Sequence, residues 1–338
     1  MSEPFQLAEP LRRGTRGQRT VAWPGRRELT RHSALFLITL ISTTFAGIVI
    51  SAPEIEVPEP ALSGILSYLF YIPDYYLRIV AALTAFAIAH PAILFDGLRF
   101  SLALLTILTA HEMGHYLACR YYGVDATLPF FIPAPPLFLA GTFGAFIKMK
   151  SPIPSRRALF DIGLAGPLAG FVALLPFAVG GILNLNDAPP QAGESLIIFN
   201  DPLLIQIIGK ATGARLTEAM PNPFYMAAWI GLLVTSLNLM PVGQLDGGHG
   251  TFSVFGARLH RVLGRVAFIA VALMAIIGFA WYGSPSGFLY TVLLAVMLKV
   301  RHPAPQTWEP LGNKRIAVAV ITLIVFALSF VPFPITMT

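Results

Sequence analysis

The sequence predicts an all-α polytopic membrane protein with about six transmembrane helices, or seven if one ambiguous segment also crosses the bilayer. Hydrophobic residues make up 55% of its 338 residues and charged residues only 12%, a composition too apolar for a water-soluble domain. Several apolar runs are long enough to span a hydrocarbon core of about 30 Å. The net charge of +6 comes without a basic helix or a basic patch interleaved with aromatic residues, which argues against nucleic-acid binding.

The polar N-terminal segment, residues 1–33, is predicted to be a disordered basic tail, because it holds seven arginines against three acids. It is too long a charged region for a cleaved signal peptide, and an organellar transit peptide is the weaker alternative. The first predicted span follows at residues 34–51. Residues 52–75 carry four acids and no lysine or arginine, which places them on the far side. Residues 79–95 are apolar but interrupted by a His-Pro pair, so they either dip into the membrane and return or cross it.

The next apolar helix, residues 102–117, carries three side chains suited to metal chemistry, His111, Glu112 and His115. The two histidines are four residues apart and therefore project from one helix face. This spacing suits two ligands of a tetrahedral zinc, with Glu112 beside them to polarise a water molecule. An acid near the middle of a spanning helix costs about 2.5–3.5 kcal/mol and usually marks function. The alternative is an ordinary helix with incidental histidines.

Two segments after this helix are predicted to be non-helical. Residues 129–139 contain four prolines, which exclude a regular helix, so this apolar segment must lie against protein or at the interface. Residues 141–150 are short and punctuated by glycine. They predict a re-entrant hairpin or strand that enters the membrane from the basic side, with an ordinary interfacial loop as the equal alternative.

The remaining apolar segments complete the predicted helices. Asp161 is predicted to cap a span that ends at Leu183, in which Gly166 and Gly170 form a small-residue face for close helix packing. Residues 184–224 are polar, rich in proline and glycine, and too short for an inserted domain of ordinary size. The other predicted apolar segments are residues 226–240, 266–282, 288–298 and 316–331.

The distribution of lysine and arginine predicts the orientation. If residues 79–95 do not cross and the other segments alternate, the N-terminal tail shares one side with residues 119–160, 249–265 and 299–315. These four regions hold 19 of the 23 lysines and arginines. The six-span alternative therefore obeys the positive-inside rule, and we expect a cytoplasmic N terminus and a metal site nearer the cytoplasmic face.

Two histidines do not complete a catalytic zinc site, so a third ligand is needed. Asp246 is the strongest candidate, because it follows a helix broken by Pro241 and lies at a depth similar to that of His115. Neighbouring glycines allow a sharp backbone path that could turn its carboxylate toward the metal. The alternative for Asp246 is a turn residue at the interface. The histidines left over are His32, His90, His249, His260 and His302.

Three motifs together resemble the site-2 protease family of intramembrane zinc metalloproteases, peptidase family M50. They are HEMGH on a membrane helix, a downstream GLAGP, and NLMPVGQLDGGH, and the resemblance covers about residues 97–260. It implies one zinc ion bound by His111, His115 and Asp246. It further implies that Glu112 is the general base and that Asn238 contacts the substrate backbone near the scissile bond.

The resemblance also implies an organisation. Residues 141–150 correspond in order to the family's re-entrant β-loop. Residues 34–338 are expected to form a single integral membrane protease domain, a compact one with no room for a PDZ module between the third and fourth spans. The expected location is the cytoplasmic (inner) membrane of a bacterium.

The expected activity is hydrolysis of peptide bonds within or near transmembrane segments of membrane-protein substrates. Because an unwound substrate in lipid needs new main-chain partners, Thr142, Phe143 and Gly144 are expected to offer it a strand edge. One alternative is a metal transporter. It is disfavoured because the other spans carry no second cluster of acidic residues that could line an ion path. The other is a catalytically silent relative that binds membrane proteins without cutting them. The sequence predicts neither the particular substrate nor the oligomeric state.

Overall fold

The computed structural model describes residues 24–53, 55–60, 65–187, 198–216, 219–300, 302 and 304–336, and these form a bundle of helices. The described helices are α1 (Arg26–Ser51), α2 (Ile65–Ala89), α3 (Pro91–Tyr121), α4 (Arg156–Leu183), α5 (Leu203–Thr212), α6 (Pro223–Asn238), α7 (Asp246–Tyr282), α8 (Ser286–Lys299) and α9 (Asn313–Ser329). Short antiparallel strand pairs accompany them: β1 (Phe130–Pro133) with β2 (Thr142–Phe146), β3 (Asn186–Asp187) with β5 (Ala219–Met220), and β4 (Ile198–Phe199) with β6 (Ile335–Thr336).

The predicted class, a mainly helical membrane protein, is confirmed. Five of the described helices are long and apolar enough to cross a bilayer: α1, α2 from Tyr68, α3, α4 and α7. Large apolar side chains cover their outer faces, including Ile41 and Ile72, each more than 70% exposed. Such surfaces are stable only against lipid, so the chain is an integral membrane protein.

Small residues allow the central helices to pack closely. On α1 and α3, a Cβ at Gly47 would lie 2.7 Å from Gly97 Cα, and Thr43 Oγ1 lies 2.5 Å from Ser101 Oγ. Because the later residue on α1 meets the earlier one on α3, the two helices are antiparallel. The core beside them is centred on Trp229 of α6, which is fully buried.

The small-residue face predicted on α4 is confirmed. A Cβ at Gly166 would meet the His115 ring at 2.1 Å, and one at Gly170 would lie 3.1 Å from His111 Cβ. These contacts also show that α3 and α4 are antiparallel. The glycines are therefore the reason that the histidine-bearing face of α3 can lie directly on α4.

One predicted boundary near the N terminus is wrong. Helix α1 begins at Arg26 instead of residue 34, so the last part of the predicted tail is helical, while residues 1–23 lie outside the described residues. In these extra turns His32 packs against Phe130, a tertiary contact that tail composition cannot reveal. The interruption predicted at the His-Pro pair in residues 79–95 is confirmed, because α2 ends at Ala89 and α3 begins at Pro91.

Asp161 does not cap α4, which corrects a second expectation. The cap is Ser155, whose side chain accepts a hydrogen bond from the Ala158 N–H. Asp161 lies one turn further on and accepts hydrogen bonds from Arg315 of α9, with Nη2 to Oδ2 at 2.6 Å, and from Tyr122. Burial raises the pKa of the Tyr122 hydroxyl to about 12, which keeps it protonated as a donor. Asp161 thus ties three helices together at one end of the bundle.

Residues 249–265, predicted to lie between spans on the basic side, are part of α7. This helix starts at Asp246 and contains one break, at Gly256, where φ is 77° and ψ is 176°. The first part, before Gly256, packs on the start of α4. Arg156 donates to the Ser253 and Val254 carbonyls there. The glycine allows a positive φ at which the helix changes direction, which sequence periodicity does not show.

The described parts of the four regions predicted to share a side lie together. Lys150 Nζ is 3.1 Å from Glu28 Oε1, which joins the chain before α4 to the start of α1. Further along, Arg157 Nε donates to the Pro310 carbonyl, joining the start of α4 to the segment before α9. The end of the bundle that holds the last turns of α3 therefore also holds most of the basic residues that the structure describes.

Candidate metal centre

His111, His115 and Asp246 meet in the interior, although 131 or more residues separate Asp246 from the two histidines in sequence. Their ligand atoms lie within 4.8 Å of one another, and both imidazoles are buried. The histidines come from the second half of α3, and Asp246 is the first residue of α7. The structure thus brings together the three residues that were predicted from the sequence to bind a metal ion.

The distances between these atoms match those expected around one tetrahedral ion. His111 Nε2 and His115 Nε2 lie 3.2 Å apart, and Asp246 Oδ2 lies 3.2 Å and 3.3 Å from them. Ligands about 2.05 Å from a tetrahedral zinc are separated by about 3.3 Å. The three side chains are therefore close enough, and of the right donor chemistry, to hold one metal ion.

The orientation of His115 is fixed by a backbone carbonyl that no motif predicts. Its Nδ1 lies 2.7 Å from the Ile162 carbonyl of α4 and donates to it, since the carbonyl can only accept. This places the proton on Nδ1 and leaves the Nε2 lone pair for a metal. The missing Cβ of Gly166 leaves the space that this ring occupies.

Asp246 reaches the histidines because the chain turns tightly between α6 and α7. At Gly247, a Cβ would lie only 1.9 Å from the Leu239 carbonyl oxygen, so a side chain cannot be accommodated. Gly243 has a φ of 53°, in the left-handed region. The predicted reason for the glycines around Asp246 is thus confirmed by the close approach of the backbone.

Glu112 lies beside the three ligand atoms without joining them. It is buried, and its Oε1 is 4.0 Å from His111 Nε2. The backbone N–H of Ile147, immediately after β2, lies near its carboxylate. Asn238, at the end of α6, points its Nδ2 to within 3.3 Å of His111 Nε2. The site therefore offers one free carboxylate and one amide donor next to the candidate metal position.

The hairpin formed by β1 and β2 stands where the sequence predicted a re-entrant strand. Phe130 pairs with Phe146 and Phe131 with Ala145, and β2 has no second strand partner among the described residues. The Thr142 side chain is turned into the hairpin, donating to the Ile132 carbonyl at 2.7 Å. Phe143 is exposed, and a Cβ at Gly144 would meet no atom within 4 Å.

The remaining histidines lie outside the ligand set. His249, left unassigned by sequence, is buried one turn after Asp246, and its Nδ1 lies 2.6 Å from His302 Nε2. His260 Nδ1 lies 3.0 Å from Thr251 Oγ1. His90 is exposed, and its Nδ1 lies 2.9 Å from the Phe86 carbonyl of α2. His32 lies against the hairpin. Of the candidates for a third ligand, the structure thus places only Asp246 beside His111 and His115.

Fold and site together define a helical membrane protein that carries a buried site for one metal ion, with a free carboxylate beside it. The model of peptidase family M50 matches residues 99–281, slightly more than half of the chain. The chain belongs to this family. The resemblance to the site-2 protease family, which the sequence motifs indicated over about residues 97–260, is confirmed.

Curated relatives agree with this assignment. The chain is 29% identical to the probable zinc metalloprotease EGY1, chloroplastic, of Oryza sativa subsp. japonica, over 98% of this chain and 56% of the relative. It is 30% identical to the probable zinc metalloprotease EGY2, chloroplastic, of Arabidopsis thaliana, over 78% of this chain and 47% of the relative. The chain thus spans about half the length of these relatives. No solved structure matches it.

Proposed function

We propose that the protein is an intramembrane zinc metalloprotease that hydrolyses peptide bonds within or near transmembrane segments of membrane-protein substrates. The observation that carries the proposal is the triangle of His111, His115 and Asp246 ligand atoms, with sides of 3.2–3.3 Å, and the Glu112 carboxylate 4.0 Å from its nearest corner. Membership of peptidase family M50 and the names of the relatives point to the same chemistry.

Each group in the site has a role in hydrolysis. His111, His115 and Asp246 would hold a zinc ion, which when bound would supply Lewis acidity and lower the pKa of water toward neutrality. Glu112 accepts the proton of the attacking water and passes it to the nitrogen of the leaving amine. Asn238 Nδ2 is placed to donate a hydrogen bond to the oxygen of the attacked carbonyl. The surrounding helices exclude bulk water, which strengthens these interactions.

The antiparallel packing of α1 and α3 supports the orientation inferred from charge. The chain between them starts and ends at the same end of this helix pair, which favours no net crossing by α2. The metal site then lies nearer the basic face, and we infer that the N terminus is cytoplasmic or on the equivalent side of an organelle membrane. The two relatives named above are described as chloroplastic, so they give no support to the expected bacterial cytoplasmic membrane.

Zinc-dependent cleavage tests this function. The purified chain, reconstituted in lipid bilayers with single-span substrates, is expected to cut within or near the span. Cleavage should stop after zinc chelation and return with about one zinc per chain. A chain that binds zinc but cuts none of a library of single-span substrates would fit the catalytically silent relative instead. Fragment masses and zinc content measured on the same samples separate the two outcomes.

The free edge of β2 is the proposed substrate contact. A transmembrane substrate has all of its carbonyls bonded within a helix, so it must unwind locally and find new partners. Pairing with β2 replaces the lost hydrogen bonds in register, whatever the side chains. The edge lies directly before Ile147, whose N–H is near the Glu112 carboxylate, so a paired strand would lie close to the base.

Proline in β2 should therefore abolish most cleavage without removing zinc. Ala145→Pro or Phe146→Pro removes one main-chain donor and bends the strand, and we expect at least about a hundredfold loss of kcat/KM. Phe143→Ala is the control, because it keeps the main chain intact, and should have only a modest effect. The measurements are cleavage rate and zinc content.

Crosslinking gives the direct contact test for the same edge. Single cysteines at positions 142–147, in a Cys119→Ala background, should crosslink to cysteines in a substrate span. Full activity in both proline variants, with no crosslink from any of these positions, would make the segment an ordinary loop.

A further inference from the structure

The first turns of α1 hold the hairpin by its first strand. His32 is 5% exposed, and its Nδ1 lies 2.9 Å from the carbonyl oxygen of Pro129, just before β1. Since a carbonyl can only accept, the His32 proton resides on Nδ1 and is donated to Pro129. The same imidazole packs on Phe130, with ring centroids 4.0 Å apart. One side chain thus contacts both the backbone and a side chain of the incoming strand.

These contacts continue across the hairpin to the proposed general base. Phe130 is paired with Phe146 of β2, and their rings are stacked with centroids 5.4 Å apart. The residue after Phe146 is Ile147, whose backbone N–H lies near the Glu112 carboxylate. A shift of β1 relative to α1 would therefore move the backbone beside Glu112.

Other ties between α1 and the hairpin do not fix its direction in the same way. Lys150 and Glu28 form an ion pair at 3.1 Å, but both side chains are partly exposed, and such pairs contribute little. Phe36 packs edge-on against Phe131 at 5.1 Å, a contact that tolerates small shifts. The buried hydrogen bond from His32 is directional, and losing it leaves a buried carbonyl without this donor.

From this geometry we propose that His32 is a positioning residue: it fixes the hairpin so that the backbone at Ile147 and the strand β2 before it keep their position beside Glu112. The inference rests on the proposed protease function for its catalytic consequence. Its structural part, the clamping of the hairpin by His32, stands independently and can be measured without any substrate.

Two substitutions separate the hydrogen bond from the ring contact. In His32→Asn the side-chain amide can reach the position of Nδ1 and keep the donor, whereas His32→Phe keeps a ring against Phe130 and removes the donor. His90→Phe is the matched control. His90 Nδ1 also lies 2.9 Å from a carbonyl, that of Phe86, and its ring stacks on the Phe86 ring. These contacts are made to the adjacent helix α2 at an exposed position, away from the hairpin.

Hydrogen–deuterium exchange of the full chain in lipid nanodiscs is the first measurement. His32→Phe should speed exchange of amides 142–149 several-fold and leave α4 and α6 unchanged, while His32→Asn and His90→Phe should match the wild type. Wild-type exchange of the hairpin in His32→Phe would overturn the proposal. So would a uniform increase over the whole chain, which would indicate general destabilisation.

The second measurement is the steady-state cleavage rate, with kcat calculated per zinc-containing molecule. His32→Phe should lower kcat about tenfold with KM within about twofold, and His32→Asn should recover most of the loss. Equal cleavage rates in the wild type and both His32 variants would overturn the proposal that His32 supports catalysis. If the wild type and Glu112→Gln were equally inactive, the protease function would fail, while the exchange result would still decide whether His32 clamps the hairpin.

Discussion

Replacing Glu112 with glutamine is expected to leave zinc bound and to lower peptide cleavage by about three orders of magnitude or more. Glutamine has nearly the same shape but cannot accept the proton of the attacking water or deliver it to the leaving amine. Zinc should remain because the Glu112 carboxylate lies outside the triangle of ligand atoms. The measurements are zinc content and single-turnover cleavage of a substrate span in bilayers.

The control for this variant is Glu56→Gln, which makes the same chemical change at an exposed position between α1 and α2. It should cleave at the wild-type rate. Loss of zinc from Glu112→Gln would place Glu112 among the metal ligands, and an unchanged rate would remove it from the chemistry.

Removing any one of the three ligands should eliminate most of the bound metal. His111→Ala and His115→Ala should each reduce zinc from about one ion per chain to less than about a tenth, and Asp246→Ala should lower it strongly as well. The physical reason is that two remaining protein ligands cannot complete a catalytic zinc site. Cleavage should fall in parallel, measured on samples whose zinc is quantified by mass spectrometry.

His260→Ala is the control for these ligand variants, since His260 is also a buried histidine but contacts Thr251 instead of the ligand atoms. It should keep its zinc. Full zinc and full activity in Asp246→Ala would show that the third ligand is a different residue.

Much of this centre could be predicted because its chemistry is concentrated in short motifs. His111 and His115 share a helix face by spacing alone, and Asp246 stands out as a carboxylate at membrane depth beside glycines. A re-entrant strand in residues 141–150 was predictable because the segment is short and punctuated by glycine. In each of these cases a local pattern carries the information. The partner strand β1 was not predicted, because the prolines of residues 129–139 exclude a helix without indicating a strand.

The parts that could not be predicted depend on contacts between distant segments. The Ile162 carbonyl that orients His115 has no side-chain signature, and neither does the Ile147 N–H near Glu112. His32 falls within a stretch that composition assigns to a tail, although it lies in a helix that packs on the hairpin. Likewise, residues 249–265 were placed between spans by their basic side chains, although they belong to the helix that begins at Asp246.

The break at Gly256 has a consequence for how the protein adapts to its bilayer. Uninterrupted, the 37 residues of α7 would extend about 55 Å, much longer than a hydrocarbon core of about 30 Å. A long span meets thicker or thinner lipid by changing its tilt. Because α7 departs from helical dihedral angles at Gly256, the longer part can tilt about this joint while the first turns stay packed on α4. We therefore expect a change in membrane thickness to tilt the longer part more than the first turns, which carry Asp246.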